Sequence, residues 1–594
     1  MFDRRSTFGE ALDHPGARAV LERLMPGFAA SPMAAQFRGG RLGSLIALVP
    51  SLESPEARAQ LWTELAEIGE AAERPAYAPA IAPNPAYESD DVERASAVVR
   101  PVAAASRWGV LEVRIDGPAH GNPFVDVDLH AAFTRPDGST VRVGGFYDGD
   151  GEWVVRVLAD REGRWSFSTT ATARSLDGLH GEAQVGAARD GAHGPVRVDG
   201  FHFVHADGTH HRPLGTTAYA WTHQPDALQE QTLETLTDGP FRKIRMCLFP
   251  KSYLFNANEP GDFVFPGSLA EGFDLERFDP AHFRRLEKRI AQLGERGIEA
   301  DLILFHAYDR WGFADLGPAV DDRYVRYVVR RLAAFSNVWW SMANEYDLVW
   351  AKDEDDWERL AAIVGEEDHA DHLNSIHNCR PFYDYSRPWI THVSIQRVDV
   401  YRTAENTDEW RERWGKPVVI DECAYEGDID QGWGNITGEE MTRRFWEGAV
   451  RGGYVGHGET YLPAPVGEVQ VPDAAGSDGE VLWWAKGGVL HGSSPARIGF
   501  LDRVLAEVPG GVLDPAASDW DVPWAQSADG TVRVAYFGFN RPRFRNVVLG
   551  EGDWTIDVID TWNMTVDRVD GIHSGSARVT LPGRPFVAVR LSRV

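Results

Sequence analysis

Val338-Trp339-Trp340-Ser341-Met342-Ala343-Asn344-Glu345 is an apolar run that ends on an amide and a carboxylate. A second run of the same kind, Pro417-Val418-Val419-Ile420-Asp421-Glu422, ends on another glutamate. Short bulky runs bounded by polar residues are the pattern of parallel strands buried on both faces. Parallel barrels assemble their chemistry at the C-terminal ends of their strands, where both glutamates fall. The two glutamates stand 77 positions apart, room for three further strand–helix units. With the first run as strand four, the second becomes strand seven.

Outward from these runs, strands alternate with helical stretches from about 200 to 505, the signature of a parallel α/β unit. Strand one is expected at Pro213–Tyr219, strand two at Lys243–Phe249 and strand three at Glu299–Phe305. Strand five is expected near Asn374–His377, strand six at Trp389–Ile395 and strand eight at Gly453–His457. Eight strands in this span predict a (β/α)8 barrel. Before it, runs such as Gly109–Ile115 and Trp153–Leu158 alternate apolar and polar residues between Asp-Gly turns, which predicts an immunoglobulin-like β-sandwich. Alternation returns at Val532–Gly538, Trp554–Asp560 and Phe586–Leu591, predicting a second, C-terminal β-sandwich. Helical spacing marks the N-terminal segment, as in Ala57–Leu65. Pro75, Pro79, Pro83 and Pro85 predict an extended linker after it. The expected divisions are 1–75 helical, 76–104 linker, 105–196 sandwich, 197–508 barrel and 509–594 sandwich.

A chain of 594 residues exceeds what one core supports. Its formal charge of −29 argues against nucleic acid and anionic membrane as partners, because phosphate contact needs a basic footprint. The 21 Trp and 16 Tyr suit a protein that stacks on sugar rings, and a large core uses the same residues. Cys247, Cys379 and Cys423 are too few and too scattered for a disulfide framework, so buried reduced thiols are expected. Met1-Phe2-Asp3-Arg4-Arg5 leads into a polar stretch without an apolar signal core, and no run approaches a membrane span of about 20 residues. The expectation is a cytoplasmic protein with a carbohydrate substrate; a homo-oligomer is an open option.

Two strand-end carboxylates are what retaining glycoside hydrolysis requires, one as acid/base and one as nucleophile, about 5–5.5 Å apart. Glu345 is expected to be the acid/base, its pKa kept up by whichever of Trp339 and Trp340 faces inward. Glu422 is the expected nucleophile, held ionised by Arg245. Asn344 is placed to hydrogen-bond the sugar 2-hydroxyl. His306, Tyr308 and Asp309 after strand three, His377 after strand five, and His392 and Gln396 on strand six are candidate sugar-site residues. So are Tyr425 and Glu426 past strand seven, His457 and Glu459 after strand eight, and the platform Trp484 or its neighbour Trp483. Asp347 is expected to orient Glu345. No HxH, HExxH or paired-carboxylate spacing supports a metal, so neither metal nor organic cofactor is expected.

With these residues in place, the chain resembles the large clan of retaining (β/α)8 glycoside hydrolases that includes cellulases, mannanases and β-galactosidases. The resemblance rests on Asn344-Glu345, Glu422, Arg245, His392 and Trp484. More narrowly, Trp339-Trp340-Ser341-Met342-Ala343-Asn344-Glu345-Tyr346-Asp347 is similar to glycosidase-like barrels related to apiosidases, which carry a sandwich before the barrel and another after it. It covers about residues 105–594. The apiosidase proper uses an aspartate as acid/base where this chain has Glu345, so its substrate does not carry over. Long insertions at Lys251–Pro266 and Pro463–Gly479 suggest pocket walls and hence exo action on small glycosides or oligosaccharides. The alternatives are a transglycosylase or phosphorylase using the same covalent intermediate, and a non-catalytic carbohydrate-binding barrel.

Overall fold

The computed structural model describes residues 2–24, 26–27, 38, 42–43, 55–69, 77–252, 256, 258–396, 402–429, 431–458, 460–462, 486–517 and 519–594. Trp483, Trp484, Glu459 and the insertion 463–479 lie outside them.

Five parallel strands follow one another in one sheet: β1 Gly215–Thr217, β2 Lys243–Cys247, β3 Glu299–His306, β4 Val338–Asn344 and β5 Asn374–Ser375. Three more form a second parallel sheet: β6 Val393–Gln396, β7 Val418–Glu422 and β8 Tyr454–Val455. Parallel bridges between His377 and Ser394 and between Gly215 and Gly456 join the two sheets into a closed eight-stranded ring. Gly456 is needed at the seam, since a Cβ there would stand 2.6 Å from the Asp421 carbonyl oxygen. Ile244, Met246, Ala300, Leu302, Leu304, Trp340 and Met342 point outward into the main core under the surrounding helices. Helices follow every strand except β5; the described segment 376–392 contains none. Local chemistry starts them: Asp279 caps the helix Pro280–Gly294, and Asp353 with Asp356 forms a capping box on Glu354–Glu367.

The N-terminal end of the barrel is plugged by a small antiparallel sheet of Val196–Asp199, His202–His205 and His210–His211. Phe203 from this plug meets Trp339 of β4, Tyr454 and His392, with ring centroids 5.2, 5.5 and 5.8 Å apart. Trp339 therefore belongs to the barrel floor.

In the first β-sandwich, strand Thr140–Tyr147 changes partners at Gly144–Gly145. Its first half pairs with Leu129–Thr134 and its last three residues with Glu152–Leu158, which carries the chain from one layer to the other. Trp153, Trp165, Leu111 and Ile115 fill the core between the layers. The sandwich is fastened to the barrel helices by buried ions. Arg331 holds Glu287 and Asp148, each at 2.6 Å, and Arg156 holds Glu287 at 2.8 Å.

The C-terminal stretch departs from the expected sandwich of two sheets. It is one continuous antiparallel sheet, bent along the 17-residue strand Phe544–Asp560, whose register shifts twice. Trp524, Phe537, Trp554 and Val589 form a core inside the bend. Tyr536 on the other face stacks on Trp446 of the helix Gly438–Val450, ring centroids 5.6 Å apart.

The N-terminal helices Phe8–Asp13, Pro15–Leu24 and Pro55–Ala66 share a small core of Phe8, Leu12, Leu21, Leu61 and Leu65. They sit on the barrel, with Arg5 3.1 Å from Asp315. The stretch expected as an extended linker runs exposed over 78–86 and is anchored at a few points. Tyr77 hydrogen-bonds Asp315, Tyr87 is buried in the sandwich core, and Val98–Val99 pairs with Val110–Asp116. Proline keeps this segment extended, and its apolar side chains tie it down. The three cysteines are buried thiols. No helix among the described residues is long and apolar enough to cross a membrane.

Candidate active site

Glu345 follows β4 directly and adopts a left-handed backbone, φ 53° and ψ 60°. This conformation is costly for a residue with a Cβ and tends to occur where function requires it. It turns the carboxylate over the barrel mouth into a cage of donors. Gln396 Nε2 donates to Oε1 at 3.0 Å, Asn344 Nδ2 donates to Oε2 at 3.1 Å, and the Tyr308 hydroxyl donates to Oε2 as well. Glu422 is the last residue of β7 and pairs in register with Gln396. Its Oε1 accepts from the Tyr219 hydroxyl and lies 3.7 Å from Arg245 Nη1 and 3.9 Å from His377 Nε2. The last two distances are too long for hydrogen bonds; the guanidinium acts through its charge.

The two carboxylates are driven to opposite protonation states. Burial and the Glu422 charge push Glu345 up to about 7, outweighing the Tyr308 hydrogen bond and the Lys251 cation. Burial also acts on Glu422, but His377, Arg245 and the Tyr219 hydroxyl overcome it and hold this carboxylate well below its usual range. A buried acid beside a buried ionised carboxylate divides proton donor from acceptor or nucleophile, the split that two-carboxylate chemistry uses.

Beneath the pair lies an ionic layer. Lys243 Nζ stands 2.8 Å from Asp301 and 2.6 Å from Asp421, and all three are buried. Ser394 Oγ donates to Asp421 Oδ2 at 2.5 Å and lies 3.2 Å from His377 Nδ1. The layer thus connects the Lys243 cation to the imidazole beside Glu422. Lys243→Met would take from buried Asp421 its one ion-pair partner among the described residues and leave buried Asp301 with Arg245 at 3.5 Å. It is expected to destabilise the fold by about 3–5 kcal/mol, read as a lower urea midpoint of tryptophan fluorescence.

The structure gathers Asn344, Arg245, Tyr308, His377 and Gln396 around the two glutamates. It places other candidates elsewhere. His392 precedes β6 and packs on the floor against Trp339, ring centroids 5.3 Å apart, so Gln396 is the strand-six residue at the mouth. His306 Nε2 donates to the Phe249 carbonyl at 3.1 Å. His457 lies against Phe241 and 3.2 Å from Thr216 Oγ1, behind the barrel wall. Tyr425 packs edge-on against Trp433. Glu426 binds Ser493 and Ser494 at the start of helix Ser494–Ala506, and Asp309 takes the backbone N–H groups of Trp311, Gly312 and Ala314. Asp347 accepts from the backbone N–H of Cys379 and Arg380 at 2.6 and 3.0 Å, so it anchors the loop after β5 and leaves Glu345 to other partners. Neither tryptophan of β4 keeps Glu345 protonated. Trp339 donates to Glu299 and Trp340 to Asp368, each at 3.0 Å.

Two site residues escaped sequence reading. Tyr219, two residues past β1, carries the hydroxyl on Glu422. Lys251 places its ammonium 4.1 Å above the Tyr219 ring and 4.7 Å from that of Tyr308, between the two tyrosines that serve the two carboxylates. The position of Tyr219 at the end of the first apolar run was the available signal.

Residues 199–494 match the family described as "Apiosidase-like, catalytic domain". Residues 104–172 and 520–592 match two families each described as a domain of unknown function, DUF5060 and DUF5605. An inferred glycoside hydrolase from Bacteroides vulgatus ATCC 8482 is 35% identical with a TM-score of 0.75, the match covering 83% of this chain and 100% of that one. A glycoside hydrolase family 5 protein from the same organism is 14% identical with a TM-score of 0.52, over 68% of this chain and 94% of that one, a likeness of fold alone. No curated protein matches the chain. A parallel barrel with these likenesses defines the class: the protein is a glycosidase. Within that class the chain is a glycoside hydrolase whose residues 199–494 form an apiosidase-like catalytic domain.

Proposed function

We propose that the protein is a retaining glycosidase in which Glu345 is the acid/base and Glu422 the nucleophile. The supporting observation is the divergence of the two buried carboxylates, one raised to about 7 and the other depressed. Protonated Glu345 gives its proton to the glycosidic oxygen as Glu422 attacks the anomeric carbon, so the leaving group departs as an alcohol and a glycosyl ester forms on Glu422. The ionised Glu345 then takes a proton from water, which attacks the same carbon and frees Glu422. Two inversions return the original configuration. Asn344 Oδ1 is buried without a hydrogen-bond partner among the described residues, which leaves an acceptor for the sugar 2-hydroxyl. Action on small glycosides or oligosaccharides from the non-reducing end is part of the proposal, resting on the insertion that begins at Lys251.

A panel of aryl glycosides, furanosides included, tests this by NMR of the first-formed hemiacetal. The substrate's own anomer is expected. The opposite anomer as first product would replace the double displacement with a single inversion.

A further inference from the structure

A second cluster of ligating groups stands at the opposite end of the barrel, outside the chemistry above. His205 and His211 belong to the floor plug, and Glu299 opens β3 directly above it. One ligand atom from each lies within 4.8 Å of the other two. The imidazole rings face each other edge-on, centroids 4.9 Å apart. Each group is prepared in a way that packing alone does not require. His205 Nδ1 donates to the Gly194 carbonyl at 2.9 Å, which fixes the tautomer and leaves Nε2 as the nitrogen with a lone pair to offer. His211 is buried, and its Nε2 has no hydrogen-bond partner. Glu299 is buried as well; its Oε2 accepts from Trp339 Nε1 at 3.0 Å, and no cation lies within ion-pair distance among the described residues. A buried carboxylate without a counter-charge beside an unpartnered imidazole nitrogen is costly unless something positive sits between them.

We propose that this cluster binds a zinc-class divalent cation through His205 Nε2, His211 Nε2 and one oxygen of Glu299. Two imidazoles and a carboxylate are a zinc donor set, with water completing the fourth position. Ligand atoms around tetrahedral zinc stand about 3.4 Å apart, so the three groups need to close by little more than an ångström. Trp339 and Gly194 supply the outer contacts that hold the carboxylate and one imidazole in place. The ion joins the plug to β3 and, through Trp339, to β4, so its role is to staple the barrel floor. Sequence spacing hides the site, because the donors come from a hairpin and a strand some ninety residues further on.

The test uses untagged full-length protein, stripped with EDTA, reloaded with Zn2+ and gel-filtered before metal analysis. About one retained equivalent is expected for the wild type. Glu299→Gln and His211→Ala are each expected to lose it, and Co2+ in place of Zn2+ should give visible d–d bands in the wild type alone. Glu299→Gln keeps the acceptor for Trp339 and removes the buried charge, so it should fold at least as stably as metal-free wild type; circular dichroism checks this. Zn2+ should raise the unfolding temperature of the wild type and leave Glu299→Gln unmoved. Wild type that retains no metal, or variants that retain as much as wild type, would overturn the assignment in favour of a neutral, metal-free cluster.

Discussion

Glu422→Ala is expected to lower turnover on the order of 10^5-fold, with azide restoring a product that is the glycosyl azide of inverted configuration. The size follows from position. Glu422 accepts from Tyr219 and lies beside both Arg245 and His377, a combination that no other described carboxylate is seen to have, so it is the oxygen placed to attack. Removing the side chain leaves a space lined by a hydroxyl donor, a guanidinium and an imidazole, a set that stabilises a small anion. Azide entering there attacks from the face Glu422 used, and a single displacement inverts the anomeric centre. The barrel should survive, because Asp301 remains 3.5 Å from Arg245 Nε and limits the loss of charge balance. Rate, rescue and product anomer are read on one aryl glycoside by absorbance and NMR. A variant that keeps wild-type turnover would take the nucleophile role away from Glu422.

The barrel was legible because its strands are buried on both faces. Val418-Val419-Ile420 and Leu302-Ile303-Leu304 have to be apolar whichever way they point, so each strand appears as an unbroken run between polar residues. The floor plug has no such signal. Val196–His211 carries four histidines among its strands, and its burial comes from Phe203 reaching Trp339, a contact that only the closed barrel creates. The bent C-terminal sheet was equally hidden. Alternation in Trp554–Asp560 reports burial of one face, and only pairing shows that one long strand serves both layers.

The site was legible where a residue ends a strand and obscure where depth along the strand decides. Trp339 lies six positions before Glu345. At about 3.3 Å per residue that is about 20 Å down the barrel, too far to influence the carboxylate. Trp340 has the opposite parity from the inward-facing Trp339 and so faces the helices. His392 fails on the same count, four positions before Gln396 and hence about 13 Å below the mouth. Tyr219 and Lys251 illustrate the other gap. Both stand in loops past their strands, where neither periodicity nor spacing assigns direction, and the contact of Tyr219 with Glu422 joins residues 203 positions apart.

Glu345→Gln is expected to abolish the alkaline limb of kcat/KM and to slow glycosides of poor leaving groups by roughly 10^2–10^4-fold. The wild-type limb should fall near pH 7, because the proton that Glu345 delivers is lost as pH rises through its folded pKa of about 7. A glutamine keeps the Asn344, Gln396 and Tyr308 neighbourhood filled but carries no transferable proton. Substrates that leave without protonation should therefore still load Glu422, and hydrolysis of the glycosyl ester then becomes limiting. Azide needs no general base, so it should relieve that step and give the glycosyl azide of retained configuration, opposite to the outcome at Glu422. The two sites are also linked through charge. Burial comes first and the Glu422 carboxylate second among the causes that raise Glu345. In Glu422→Ala without azide, whose anion would refill the site, the limb traced by NMR titration of Glu345 should consequently move to lower pH while staying above an ordinary glutamate, because burial remains. A limb unmoved by removal of Glu422 would show that burial alone sets the acid, and a limb that persists in Glu345→Gln would assign the proton to another group.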